Sequence, residues 1–151
     1  MAITDFDRQK KIDVRNVTGT PSISGVLPII ITAGDYDAGY DNMIGTGNIV
    51  VGKVHFGWAN IASQNDIAIY DEYGVLLDYT FERFSAANHI AIVLVYRNWV
   101  RDGSTQLIVA YGNGPSDQSV ALSTVFSKSN LSGAWLLNEA SGDAVDATGN
   151  G

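Results

Sequence analysis

The sequence predicts an all-β fold, an antiparallel β-sandwich of jelly-roll or Ig-like type, on three observations. Apolar residues recur with a period of two or in runs too short for a helix. Turn signals punctuate the chain about every 10–15 residues, and no segment carries a convincing amphipathic-helix pattern.

Residues 11–15 alternate charged and apolar side chains, as a half-buried strand does. Residues 25–32 are an apolar run in which Pro28 points to an edge position or a bulge. A loop by composition follows at 34–42, then a β-branched stretch at 48–56 with Gly52 as its expected bulge. Residues 67–70 form a strand closed by a turn at 71–74. In the next strand Leu77, Tyr79 and Phe81 share a core face, while Asp78, Thr80 and Glu82 are expected to face solvent. Residues 89–96 are apolar on both faces and so belong to a central strand, and 106–111 return from a turn at 101–104. Residues 120–126 fit a strand or a short helical turn. The expected core is Ile12, Val14, Ile30, Ile67, Ile69, Tyr79, Phe81, Ile92, Leu94, Leu107 and Val109.

This divides the chain into a polar N-terminal arm (1–10), a sandwich domain (11–127), and a linker with a strand-like start of something new (128–151). Residues 140–151 are small, acidic and glycine-rich, with no apolar run that could close a core.

Composition narrows the function. The 151 residues suit one domain able to bury a core without a disulfide or metal staple, and there is no cysteine to make either from thiolates. A net charge of −7 argues against nucleic acid, whose phosphates demand clustered Lys and Arg. No stretch approaches the length of a membrane span, and the first dozen residues lack the apolar core of a signal peptide.

Asp35, Asp37 and Asp41 on a glycine-containing loop offer oxygen ligands to Ca²⁺, but the set is short of the six to eight required. A solvated turn is the preferred reading, and no cofactor is expected. His55 and His89 lie in or beside strand patterns with no carboxylate at ligand spacing. Asp78 and Glu82 lie about 13 Å apart along an extended strand, too far for paired-carboxylate glycoside chemistry. The glycines of residues 45–48 lack the third glycine of a nucleotide loop and any following helix. No catalytic residue is assigned, and the chain is not expected to be an enzyme. Tyr36, Tyr40, Trp58, Trp99 and Trp135 remain as ligand or interface aromatics, since such rings stack on sugars or anchor protein contacts.

Four segments, residues 66–71 (DIAIYD), 76–84 (LLDYTFERF), 91–100 (AIVLVYRNWV) and 105–115 (TQLIVAYGNGP), together resemble a domain of unknown function from bacterial, archaeal and phage surface proteins. That domain often precedes a laminin-G-like, concanavalin-like lectin domain. Tyr111-Gly112-Asn113 is the most specific piece, although Gly114 stands before Pro115 where the family has Asn-Pro directly. Residues 134–139 and 146–151 look like the opening strand of such a lectin domain. The resemblance implies a β-sandwich, a virion or extracellular setting and no known catalysis, and it brings no ligand residues.

The expectation is therefore a structural or adhesive module of a phage virion, whether tail, fibre or capsid-associated, or of a surface appendage. Its partners would be copies of itself or neighbouring subunits. A carbohydrate-binding adhesion module of a secreted prokaryotic protein, with a cell-surface glycan as ligand, is the alternative; an accessory domain of a glycoside hydrolase is a distant third. Residues beyond Ser127 are expected to mediate assembly or the junction to the lectin-like unit, with Trp135 as the buried anchor.

Overall fold

A computed structural model describes residues 2–16, 23–32, 43–46, 49–52, 54–55, 61–99, 105–128, 132–136 and 141–148. Its strands are β1 (Arg8–Asn16), β2 (Ile23–Thr32), β3 (Met43–Thr46), β4 (Ile49–Gly52), β5 (Val54–His55), β6 (Ile67–Asp71), β7 (Tyr79–Ser85), β8 (Ile90–Trp99) and β9 (Thr105–Tyr111). They build a five-stranded sheet in the order β3-β4-β1-β9-β6 and a four-stranded sheet in the order β5-β2-β8-β7. Every pairing is antiparallel except the short contact of β2 with β5. The chain is thus an all-β sandwich, as its alternation predicts.

β8 is central, lying between β2 and β7, which is why it is apolar on both sides. On its core face Ala91, Val93 and Val95 stand opposite Ile31, Ile29 and Leu27 of β2 and opposite Phe84, Phe81 and Tyr79 of β7. A bulge between Phe81 and Arg83 keeps Phe81 and Phe84 on that one face, their rings edge-on at 6.0 Å. In the other sheet β6 and β9 are buried on both faces. Ile67 and Ile69 share one face with Leu107 and Val109; Ala68 and Tyr70 share the other with Ile108 and Ala110. Each fully buried large aliphatic contributes about 1.5–3 kcal/mol.

Three expectations about burial change here. Ile30 and Ile92 are only half-buried, because the core side of β2 and β8 carries Ile29, Ile31, Ala91 and Val93. Phe81 is likewise half-buried, at the rim of the core. Thr80, expected in solvent, is 8% exposed. It pairs with Leu94 on the outer face of the four-stranded sheet, and that face is roofed. The roof is α1 (Leu122–Ser127) with the C-terminal segment: Leu94 and Phe126 cluster with Ala147, Val26, Leu122, Ala134 and Leu136. The helical alternative for residues 120–126 is the one realised. Val14 lies in β1, but its side chain is outside the described residues.

The arm and tail also differ from expectation. Residues 2–7 do not trail free: Phe6 is 6% exposed, and its ring meets Tyr70 edge-on at 6.4 Å. Its apolar ring outweighs its polar neighbours. Among the described residues the segment expected as a strand at 134–139 forms only a bridge between Trp135 and Asp146, and Ala147 and Thr148 are buried against it. The stretch at 48–56 is not one strand either. β4 belongs to the five-stranded sheet and β5 to the other, so the chain changes sheets just after Gly52.

Two polar clasps join the sheets. The Tyr79 hydroxyl donates to the carbonyl of Ile67 at 3.0 Å, deep in the core. Arg97 of β8 donates to the carbonyl of Gln106 in β9 at 2.6 Å and pairs with Glu72 at 2.5 Å. Pro28 lies in the part of β2 that β5 does not reach, an edge position among the described residues that its missing N–H suits.

Candidate functional site

Among the described residues two places concentrate fixed polar and aromatic groups, one at an end of the sandwich and one on the tail. At the end, Ser63 opens a single 3-10 turn (Gln64–Asp66) and its hydroxyl accepts from Asn65 N. The Asp66 side chain folds back over that turn. Its Oδ2 accepts from Ala62 N and Ser63 N, both at 2.9 Å, and from Ser63 Oγ at 3.3 Å. Its Oδ1 accepts from Gly114 N at 3.0 Å, and its backbone carbonyl accepts from Gly112 N at 2.9 Å. Asn113, with φ 53°, turns the chain so that its Nδ2 donates to Asp7 Oδ2 at 2.7 Å, while Asp7 N donates to Gly112 O at 3.1 Å. A Cβ on Gly114 would lie 1.9 Å from the carbonyl oxygen of Asn65, so only glycine fits.

The Tyr111-Gly112-Asn113 piece is therefore a joint where β9, the turn before β6 and the N-terminal segment meet. Every carboxylate oxygen of Asp66 is already hydrogen-bonded to this joint, which uses the group for structure. Sequence reasoning missed Asp66 and Phe6. The signal for Asp66 was present in Ser63-Gln64-Asn65-Asp66, the spacing of a helix-start capping pair.

On the tail, Asp146 holds two segments together. Its Oδ1 accepts from Ala134 N at 2.8 Å and Thr148 N at 3.0 Å, its Oδ2 accepts from Thr148 Oγ1 at 2.7 Å, and Ala147 N donates to Ala134 O at 2.6 Å. Alternation about the Trp135–Asp146 bridge turns Ala134, Leu136 and Ala147 inward and Trp135 outward. The indole is 55% exposed and lies across Gly133, where a Cβ would come within 2.5 Å of its six-membered ring. Trp135, expected as the buried anchor of an assembly or junction, is pointed to solvent in the single chain by the bridge register.

Asp35, Tyr36, Asp37, Tyr40, Asp41 and Trp58 lie outside the described residues. Trp99 ends β8 opposite Ile23, and His55 ends β5, but their side chains are outside the description too. His89 is exposed in the turn before β8, with φ 50°. Asp78 forms an ion pair with Lys128 of the segment after α1, and Glu82 sits half-buried at the β7 bulge. Among the described residues no three His, Asp or Glu side chains converge as metal ligands.

Among the described residues the groups whose ionisation is clearly displaced are tyrosines. Burial, then Asp117, then Tyr70 push the Tyr79 hydroxyl far above its ordinary range, and burial followed by Asp5 raises that of Tyr70. Both shifts hold a phenol neutral and suit a core. The other exposed large apolar side chains among the described residues are Tyr73, at 83%, with Val75 on the β6–β7 turn, and Val145 beside Asp146. Trp135 combines an open aromatic face with a rigid mount and is the best candidate for a contact residue.

No helix among the described residues is long and apolar enough to cross a membrane. No family model matches this chain, no curated protein matches it, and no solved structure matches it.

Proposed function

We propose that this chain is a non-catalytic structural or adhesive β-sandwich module of a phage virion or surface-appendage protein, which meets copies of itself or neighbouring subunits through the face that carries Trp135. One observation carries the reading. A tail anchored inward by Ala134, Leu136 and Ala147 presents an indole outward with more than half its surface in water. Large aromatics held rigidly at a surface lose little conformational freedom on contact, which is why they dominate interface energetics. The sequence resemblance to surface-protein domains that precede lectin-like units supports the setting.

A second reading draws on the same side chain. An exposed indole seated against Gly133, on the residue bridged to Asp146, also has the form of a sugar-stacking platform. Trp135→Ala separates the readings. Light scattering and particle or appendage assembly report subunit contact, and quenching of tryptophan fluorescence across a glycan panel reports sugar binding. Loss of assembly in a variant that melts like the parent supports the first reading, and loss of glycan quenching supports the second. A variant unchanged in both removes Trp135 from the function. Truncation after Phe126 is the poorer test, because it also removes the Ala134, Leu136 and Ala147 part of the roof over Leu94.

A further inference from the structure

We propose that residues 2–7 are a hinged strap over Tyr70 that opens as a unit while the sandwich beneath stays folded. Tyr70 has no exposed surface, yet among the described residues no group hydrogen-bonds its hydroxyl, the one buried side-chain polar atom in that state. The strap helps to seal it in. Phe6 stands edge-on to the Tyr70 ring, and Ile3 packs beside the same core. Asp5 is the strap's charged neighbour of the hydroxyl and adds to what keeps it protonated.

Closure therefore combines two effects of similar size and opposite sign. Burying Phe6 favours it, and stranding a phenolic hydroxyl away from water disfavours it. The strap also spends hydrogen bonds on itself: Ala2 N donates to Asp5 Oδ2 at 2.8 Å, and Asp5 N donates to Ala2 O at 3.0 Å. It is tied to the body by Asp7 N to Gly112 O, by Asn113 Nδ2 to Asp7 Oδ2, and by Gln9 Nε2 to Ile3 O at 3.3 Å. The strands beneath do not depend on it, because β6 is paired to β9 along its whole length and Asp66 holds the adjoining loop. Opening uncovers an apolar slot of one ring's width, walled by Tyr70 and Gly114, with a hydroxyl inside it.

Native-state hydrogen exchange at low urea tests this, with the parent protein and Tyr70→Phe. The Asp7 amide is expected to exchange on the order of a hundredfold faster than those of Ala68 and Val109, through an opening insensitive to urea. Tyr70→Phe removes the stranded hydroxyl and is expected to slow Asp7 exchange about tenfold while leaving Ala68 unchanged. Nitration by tetranitromethane supplies an independent readout, with Tyr70 modified under native conditions. The proposal is overturned if Asp7 exchanges only with the core, if Tyr70→Phe leaves its rate unchanged or raises it, or if Tyr70 is nitrated only on global unfolding.

Discussion

Arg97 and Glu72 meet at 2.5 Å across the seam between the two sheets, and the same guanidinium donates to the Gln106 carbonyl. A single side chain on β8 thereby holds both the β6–β7 turn and the start of β9. Arg97→Met keeps the aliphatic packing but leaves a shielded carboxylate and a carbonyl without their donor. It should lower stability by about 1–3 kcal/mol, and Arg97→Lys should recover only part because it cannot fork. Urea melts decide this; an unchanged midpoint for Arg97→Met would mean that water replaces the clasp.

Asp66→Asn should be nearly as damaging as Asp66→Ala. Asparagine offers one acceptor oxygen and turns the other position into a donor, which would then face the N–H groups of Ala62 and Ser63 or of Gly114. A loss of roughly 2–4 kcal/mol is expected, from a stranded donor and from unpaired amides. Retained stability in Asp66→Asn would show that the 61–66 loop tolerates rearrangement.

Stability should fall on the alkaline side. The unfolded chain releases its tyrosine protons near pH 10, whereas Tyr79 and Tyr70 in the folded chain hold theirs to higher pH. Below the unfolded value both states are neutral and the contribution is fully present. Above it the folded state binds more protons, so stability declines as pH rises toward the folded values. Urea titrations from pH 8 to 11.5 should show that decline, reduced in Tyr79→Phe.

Calcium should leave the fold unaffected, because Asp35, Asp37 and Asp41 supply an incomplete ligand set. A ligand at a hundred times its dissociation constant would add about 2.7 kcal/mol. Melts with chelator and with millimolar calcium should coincide, and a shift of several degrees would give that loop a metal.

What the sequence revealed, and what it hid, follows from range. Alternation is local, so β6, β8, β9 and the central place of β8 were legible from residues 67–70, 89–96 and 106–111. How far the outer face around Leu94 is covered depends on a roof built from residues far along the chain, and no local pattern reports it. The bulge after Phe81 hid in the same way, since a period of two cannot announce its own interruption. The short edge strand β3 carries two apolar residues and a glycine, too little to stand out. For the candidate site, Trp135 was legible as an aromatic of interest, whereas its outward aim depends on its pairing with Asp146.

The partnership of β1 with β9 has a consequence for how the molecule is made. Asp7 and Asn113, bonded at the end of that pair, are 106 positions apart in sequence. A ribosome adding about 5–20 residues each second must release nearly the whole domain before the first strand meets β9. The Arg8–Val14 stretch of β1, the middle strand of its sheet, waits without its β9 partner for several seconds on that timetable, while β4 reaches only its far end at Arg15 and Asn16. Its run of Arg8, Lys10 and Lys11 keeps the waiting segment charged and poorly suited to aggregation, a protection that matters most before the fold exists.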